Sequence, residues 1–114
     1  MTQTTQTRAY ASTSAVRPPR LQEADLFFRV NGGLRAGQEI GGLKLVRALA
    51  DNRRLWAQIE LVAADHENQL PRETRAQLIS ISRAVQRELD APAPDLDFLI
   101  EVNENIAAGL TGNV

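Results

Sequence analysis

The sequence has no cysteine, a single histidine, a single tryptophan and only 4% aromatic residues. Without cysteine there can be neither a disulfide framework nor a thiolate metal site. With so few aromatics, the 43% hydrophobic share must come mainly from Leu, Ile, Val and Ala. That composition suits packed helices better than a sandwich of short strands. Long apolar runs are missing as well: no stretch approaches the roughly 18 residues that span a bilayer. Residues 1–14 are rich in Thr, Gln and Ser and lack the apolar centre of a signal peptide. The expected location is therefore the cytoplasm, with no membrane contact. Excess charge of one sign is also lacking, since 13 basic residues against 14 acidic ones leave −1. The overall balance draws the chain to neither nucleic acid nor a membrane surface.

What remains is a chain of 114 residues, enough for one domain. Residues 1–16 are polar and without periodicity, with Tyr10 as their one large apolar group, and are expected to form a flexible arm. Arg17-Pro18-Pro19 closes that arm in extended geometry, so residues 17–114 are expected to be a single helical domain. The charge is unevenly placed: residues 1–20 carry Arg8, Arg17 and Arg20 without an acid, and residues 92–114 carry Asp95, Asp97, Glu101 and Glu104 without a base.

Apolar periodicity predicts a small all-α bundle of about four helices. The first runs from Pro19 to about Ala36, with Ala24, Phe27, Phe28, Asn31 and Leu34 at helical spacing and Glu23 and Asp25 in its first turns. Asn31-Gly32-Gly33 is also a hairpin signal, but Leu26-Phe27-Phe28 does not alternate, so a helix weakened or bent at these glycines is expected. The second helix begins between Ile40 and Leu43 and runs to about Ala64. Its stripe is Leu45, Leu49, Asn52, Trp56, Ile59 and Ala63, widened by Leu55 and Val62. After the polar connection Asp65 to Leu70, the third helix spans Pro71 to about Asp90 and faces inward with Leu78, Ile81, Val85 and Leu89; Arg75 shares that face. Ala91-Pro92-Ala93-Pro94 reads as a stiff linker. The fourth helix spans about Asp95 to Leu110, with Leu96, Leu99, Asn103, Ile106 and Leu110 inward and Gly112 as its stop.

Two asparagines interrupt these apolar stripes, Asn52 and Asn103. A buried amide must find partners or cost about 1–3 kcal/mol. Each can bond a neighbouring helix, Arg75 or the other asparagine and so fix the register of the bundle. Alternatively, Asn52 lies in a groove that accepts a partner's backbone. Asn52, Arg53, Arg54, Leu55 and Trp56 then form a wall with an aromatic anchor and a cationic rim, the residue types enriched at interface hot spots. A lone Trp on a helical stripe, such as Trp56, is nevertheless more often core than interface.

No catalytic set can be assembled. The histidine, His66, stands between Asp65 and Glu67, and three consecutive side chains do not converge easily on one metal ion. The glycine pairs lack the spacing and the lysine of a phosphate loop. Neither enzyme activity, cofactor, metal nor small-molecule substrate is expected. Of the 13 basic residues only Lys44 is lysine, which raises RNA binding as an alternative. Those residues are spread along the chain and balanced by acids, and stacking aromatics are few, so binding to nucleic acid is not expected.

Three segments in order carry a resemblance: Arg47 to Ile59 (RALADNRRLWAQI), Glu67 to Val85 (ENQLPRETRAQLISISRAV) and Leu99 to Leu110 (LIEVNENIAAGL). Their sequence and spacing resemble the FlaF family of flagellar biosynthesis proteins over about residues 9–110. The matching positions are Asn52, Arg53, Leu55, Trp56, Asn68, Leu70, Pro71, Arg75, Asn103, Gly109 and Leu110. The resemblance implies a cytoplasmic protein that binds flagellin and acts as its chaperone or regulator, together with an FlbT-like regulator. Arg53, Arg54, Asn52, Leu55, Trp56, Asn68, Arg75 and Asn103 are then the candidate partner-binding residues. Within that reading, Asn52 and Trp56 are the candidates for holding the bundle together, and Arg53 and Arg54 those for touching a partner.

Overall fold

The steps of three and four between apolar residues fold into four helices. In this computed structural model these are α1 (Pro19–Ile40), α2 (Gly42–Ala64), α3 (Arg72–Leu89) and α4 (Leu96–Thr111). The structure describes residues 19–111, and side-chain environments over 23–110. The expected arm at residues 1–16, Tyr10 within it and the helix stop at Gly112 lie outside the described residues. Among the described residues there is no strand.

The first helix departs from expectation. It runs unbroken through Asn31-Gly32-Gly33 and continues past Ala36 to Ile40. Tertiary contact compensates for the weak intrinsic propensity: Ala24, Phe27, Asn31 and Leu34 are all buried on one side. Gly37, one residue past the expected end of this helix, is the point where α1 and α2 touch. A Cβ added there would lie 2.8 Å from the Leu45 Cα. Only a residue without a side chain lets the two backbones approach so closely. Gly41, with φ 74°, and Gly42, with φ 57°, then reverse the chain in the left-handed region, and the Gly41 N–H donates to the Gly37 carbonyl at 2.7 Å. One non-helical residue, Gly41, joins the two helices.

Two substitutions separate these roles. A Cβ at Gly32 meets nothing within 4 Å, so Gly32→Ala is expected to raise the unfolding free energy by about 0.5–1 kcal/mol. Gly37→Ala should lower it by about 1–3 kcal/mol because the helices must part. Urea unfolding of both variants reads the two signs directly.

Helix α1 packs against α2 and α4, and α2 packs against α3. The core runs through Phe27, Leu34, Ala48, Trp56, Val85, Leu99, Ile100 and Ala107, with the Phe27 and Trp56 rings edge to face at 5.8 Å. Two residues placed on inward stripes are corrected here. Phe28 is 52% exposed and Val62 47% exposed, because each lies a full residue step away from the contact line that its neighbour, Phe27 or Ala63, occupies. Ser82, fully buried on α3, satisfies its hydroxyl by donating to the Leu78 carbonyl one turn back, at 2.7 Å.

The connections are built from caps. Asp95 starts α4 by accepting the Phe98 N–H at 3.1 Å, while its own N–H donates to the Glu88 carboxylate at 2.8 Å. That second bond ties the end of α3 to the start of α4 across the proline-rich linker. Pro71 precedes α3 with extended backbone, φ −54° and ψ 146°, and its carbonyl accepts the Arg75 N–H at 3.0 Å.

Candidate functional site

The segment Asp51 to Trp56 lies in the middle of α2, where successive residues point to different neighbours. Asn52 and Trp56, four apart, share the inner face and are both fully buried. Opposite them on α4 stands Asn103, also fully buried. The Trp56 indole N–H donates to the Asn103 carbonyl oxygen at 2.8 Å. The Asn103 amide nitrogen then donates twice, to Asn52 Oδ1 at 2.8 Å and to Asn31 Oδ1 at 2.9 Å. Asn31 in turn donates to the backbone carbonyl of Ile100 at 3.1 Å.

One amide on α4 thus ties together side chains from α1 and α2 within an apolar core. Of the partners open to these asparagines, the structure selects the asparagine pair and adds a third member, Asn31. The signal for Asn31 was present in the sequence: it occupies the same stripe as Ala24, Phe27 and Leu34. It also opens an Asn-Gly-Gly run, a pattern that equally signals a turn of the backbone. The network is incomplete at one atom, since the Asn52 Nδ2 is buried without a partner.

The remaining candidate residues fall into two other places. Asn68 and Arg75 come together at the C-terminus of α2, where the last carbonyls have no donor in their own helix. Asn68 donates to the Val62 carbonyl at 3.0 Å and accepts the Leu70 N–H at 2.8 Å. Arg75 reaches back from α3 to the carbonyls of Ala63 at 3.5 Å and Asp65 at 3.2 Å. These two residues hold the α2–α3 corner, and Arg75 does not meet either stripe asparagine. Its Nε is buried and unpartnered.

Arg53 and Arg54 are exposed. Arg53 pairs with Asp90 at 2.8 Å, linking α2 to the end of α3, and Arg54 pairs with Asp51 on its own helix at 2.7 Å. Surface pairs of this kind add little to stability and leave both guanidinium groups open to solvent and to a partner. Leu55 is half-buried against the core. Asn52, Trp56 and Asn103 therefore have no solvent-accessible surface to offer a partner, and the segment does not line an open groove. On the α2–α3 side, Glu60 accepts from Gln86 at 2.8 Å and from Arg83 at 3.1 Å. Those two hydrogen bonds, that from Gln86 first, hold its carboxyl below the ordinary glutamate range.

Among the described residues, no group of three or more His, Cys, Asp or Glu side chains is placed to hold a metal ion. His66 and its acidic neighbours form a turn in which the Asp65 carboxylate accepts the Glu67 N–H at 2.9 Å. No described helix is long and apolar enough to cross a membrane.

A protein-family model described as flagellar protein FlaF matches residues 6–110 of the chain. That span takes in all three structural groups: the buried asparagine cluster, the α2–α3 corner and the exposed arginines. No curated protein and no solved structure matches the chain.

Proposed function

This chain belongs to the FlaF family of flagellar proteins, and from that premise we propose that it binds flagellin in the cytoplasm. In this reading it acts as a chaperone or regulator rather than as an enzyme, and works together with an FlbT-like regulator. The observation that carries the reading is the extent of the family match, which covers nearly the whole chain rather than one motif. The chemistry required of such a protein is modest. Flagellin's terminal helices are amphipathic, and a helical bundle with spare apolar surface can cover such a helix until export. Large apolar side chains are exposed on this bundle, Leu43 and Leu61 of α2 among them, and exposed apolar surface is the ordinary mark of a protein-binding face.

Co-expression tests the proposal. Flagellin from the same cells is expected to co-purify with tagged protein, with FlbT present in the same extract. Recovery of the tagged protein free of flagellin under those conditions would overturn the chaperone reading.

A further inference from the structure

Helix α2 carries a second stripe that the bundle does not use. Leu43, Arg47, Ala50, Arg54, Ala57, Leu61 and Ala64 follow one another at alternating steps of four and three, the same rhythm as the inward stripe, and every one of them is exposed. The exposure is large where it matters most, at 64% for Leu43, 61% for the flanking Val46 and 67% for Leu61. Ile40, at the corner with α1, adds a further exposed apolar side chain three residues before Leu43. Helices α1 and α3 pack on other sides of α2, so this face has no partner within the bundle.

Its charge says what kind of partner fits. Lys44 and Arg47 lie beside Leu43 and Val46, and among the described residues neither makes an ion pair. Arg54 follows on the stripe itself, and the nearest acid on this part of the helix, Asp51, is already engaged by it. The face thus alternates apolar Leu43, Ala50, Ala57 and Leu61 with the basic Arg47 and Arg54, and Lys44 stands beside it.

We propose that the outward face of α2, from Leu43 to Ala64, is the docking surface for a partner's amphipathic helix whose apolar stripe is rimmed by Asp and Glu. The stripe spans 43 to 64, about 32 Å at the helical rise per residue, which matches a partner segment of about six turns. Buried apolar area would supply the attraction, and the acidic rim the register and the on-rate. Two other occupants conflict with the charges. Residues 1–18 of this chain contain Arg8 and Arg17 and no acid, so they meet like charge on this face. The same face of a second copy would set Arg47 and Arg54 against their counterparts. This assignment rests on the reading given above, that the chain binds a helical protein, and adds the surface and the chemistry it selects.

The test uses the full chain and two labelled synthetic peptides of about six turns, alike in their Leu/Ala stripe but rimmed by Glu in one and Lys in the other. Fluorescence anisotropy is expected to show binding of the Glu-rimmed peptide and at least about tenfold weaker binding of the Lys-rimmed one, a difference of about 1.4 kcal/mol. A Leu43→Ser/Leu61→Ser double variant, with unchanged far-UV circular dichroism, should lose at least about tenfold for the Glu-rimmed peptide. Arg47→Glu should weaken the Glu-rimmed peptide and strengthen the other. Equal binding of the two peptides, or undiminished binding by the double variant, overturns the proposal. So does a dimer, seen by sedimentation equilibrium, that the double variant dissolves, because a second copy would then own the face. A large gain in affinity on deleting residues 1–18 would give the face to the chain's own N-terminal residues and overturn it equally. Flagellin that fails to co-purify while the Glu-rimmed peptide still binds removes only the flagellin reading. Flagellin retained equally by wild type and double variant removes only this face.

Discussion

Trp56→Ala is expected to lower the unfolding free energy by about 3–5 kcal/mol, the usual cost of deleting a fully buried large aromatic side chain. The side chain has no solvent-exposed surface, packs edge to face on Phe27 and donates its indole N–H to Asn103. Its loss would leave a cavity at the centre of the bundle and one Asn103 lone pair unmet. Against a total stability of about 5–15 kcal/mol for a domain, that is enough to bring thermal unfolding down by roughly 10–20 °C. Trp56→Phe separates the two contributions, because it keeps much of the packing and removes the hydrogen bond. A melting temperature for Trp56→Ala within a few degrees of wild type would mean that Trp56 is not core.

Asn103→Leu is expected to be comparably damaging for a different reason. Leucine is close in size, so little volume is lost, but the substitution takes away the one amide that three other side chains use. The Trp56 N–H, the Asn31 carbonyl oxygen and the Asn52 carbonyl oxygen all lose their partner at once. Buried groups left in that state cost about 1–3 kcal/mol each, so a loss of at least about 3 kcal/mol is expected. The penalty belongs to the stranded partners rather than to Asn103 itself. A triple variant, Asn31→Leu/Asn52→Leu/Asn103→Leu, should therefore recover part of what Asn103→Leu loses, since only the indole N–H remains unpaired. Chemical denaturation of the single and triple variants decides this. A triple variant weaker than the sum of its parts would show that the asparagines pack as well as bond.

The same cluster shows how far the sequence could be read. Residues spaced by three and four located all four helices, and the ends of α2, α3 and α4 fall within a residue or two of expectation. That works because a bundle core is a set of helical stripes, and a stripe is visible in one dimension. What a stripe does not reveal is its exact width. Phe27 is buried and Phe28 is exposed, and Ala63 is buried and Val62 exposed, because a rotation of one residue step decides which of two apolar neighbours meets the next helix. Nothing in the spacing marks Gly37 as a contact between helices, because that depends on where Leu45 lies in space.

The candidate site was legible as a set of special residues but not as a set of roles. Asn52, Asn68, Arg75 and Asn103 stand out in the sequence because each is polar where the pattern is apolar or turning. A residue that caps a neighbouring helix and one that awaits a partner leave the same trace in a sequence. The fold separates them, with Asn68 and Arg75 turned to the open carbonyls of α2 and Asn52 and Asn103 turned to one another. The outward stripe of α2 was visible in the spacing of Leu43, Ala50, Ala57 and Leu61. It was masked by the stronger inward stripe of the same helix.

The central claim is that the two faces of the Asp51 to Trp56 segment have separate duties, the inner face closing the bundle and the outer face left for partners. The chain has a single tryptophan, so one indole N–H resonance reports on the inner face alone. Its hydrogen exchange, followed by NMR with and without added flagellin, tests the claim directly. Exchange only through global unfolding is expected in the free protein, with no separate opening that flagellin closes. Rapid exchange in the free protein that flagellin then suppresses would place Trp56 at the partner interface and contradict the account.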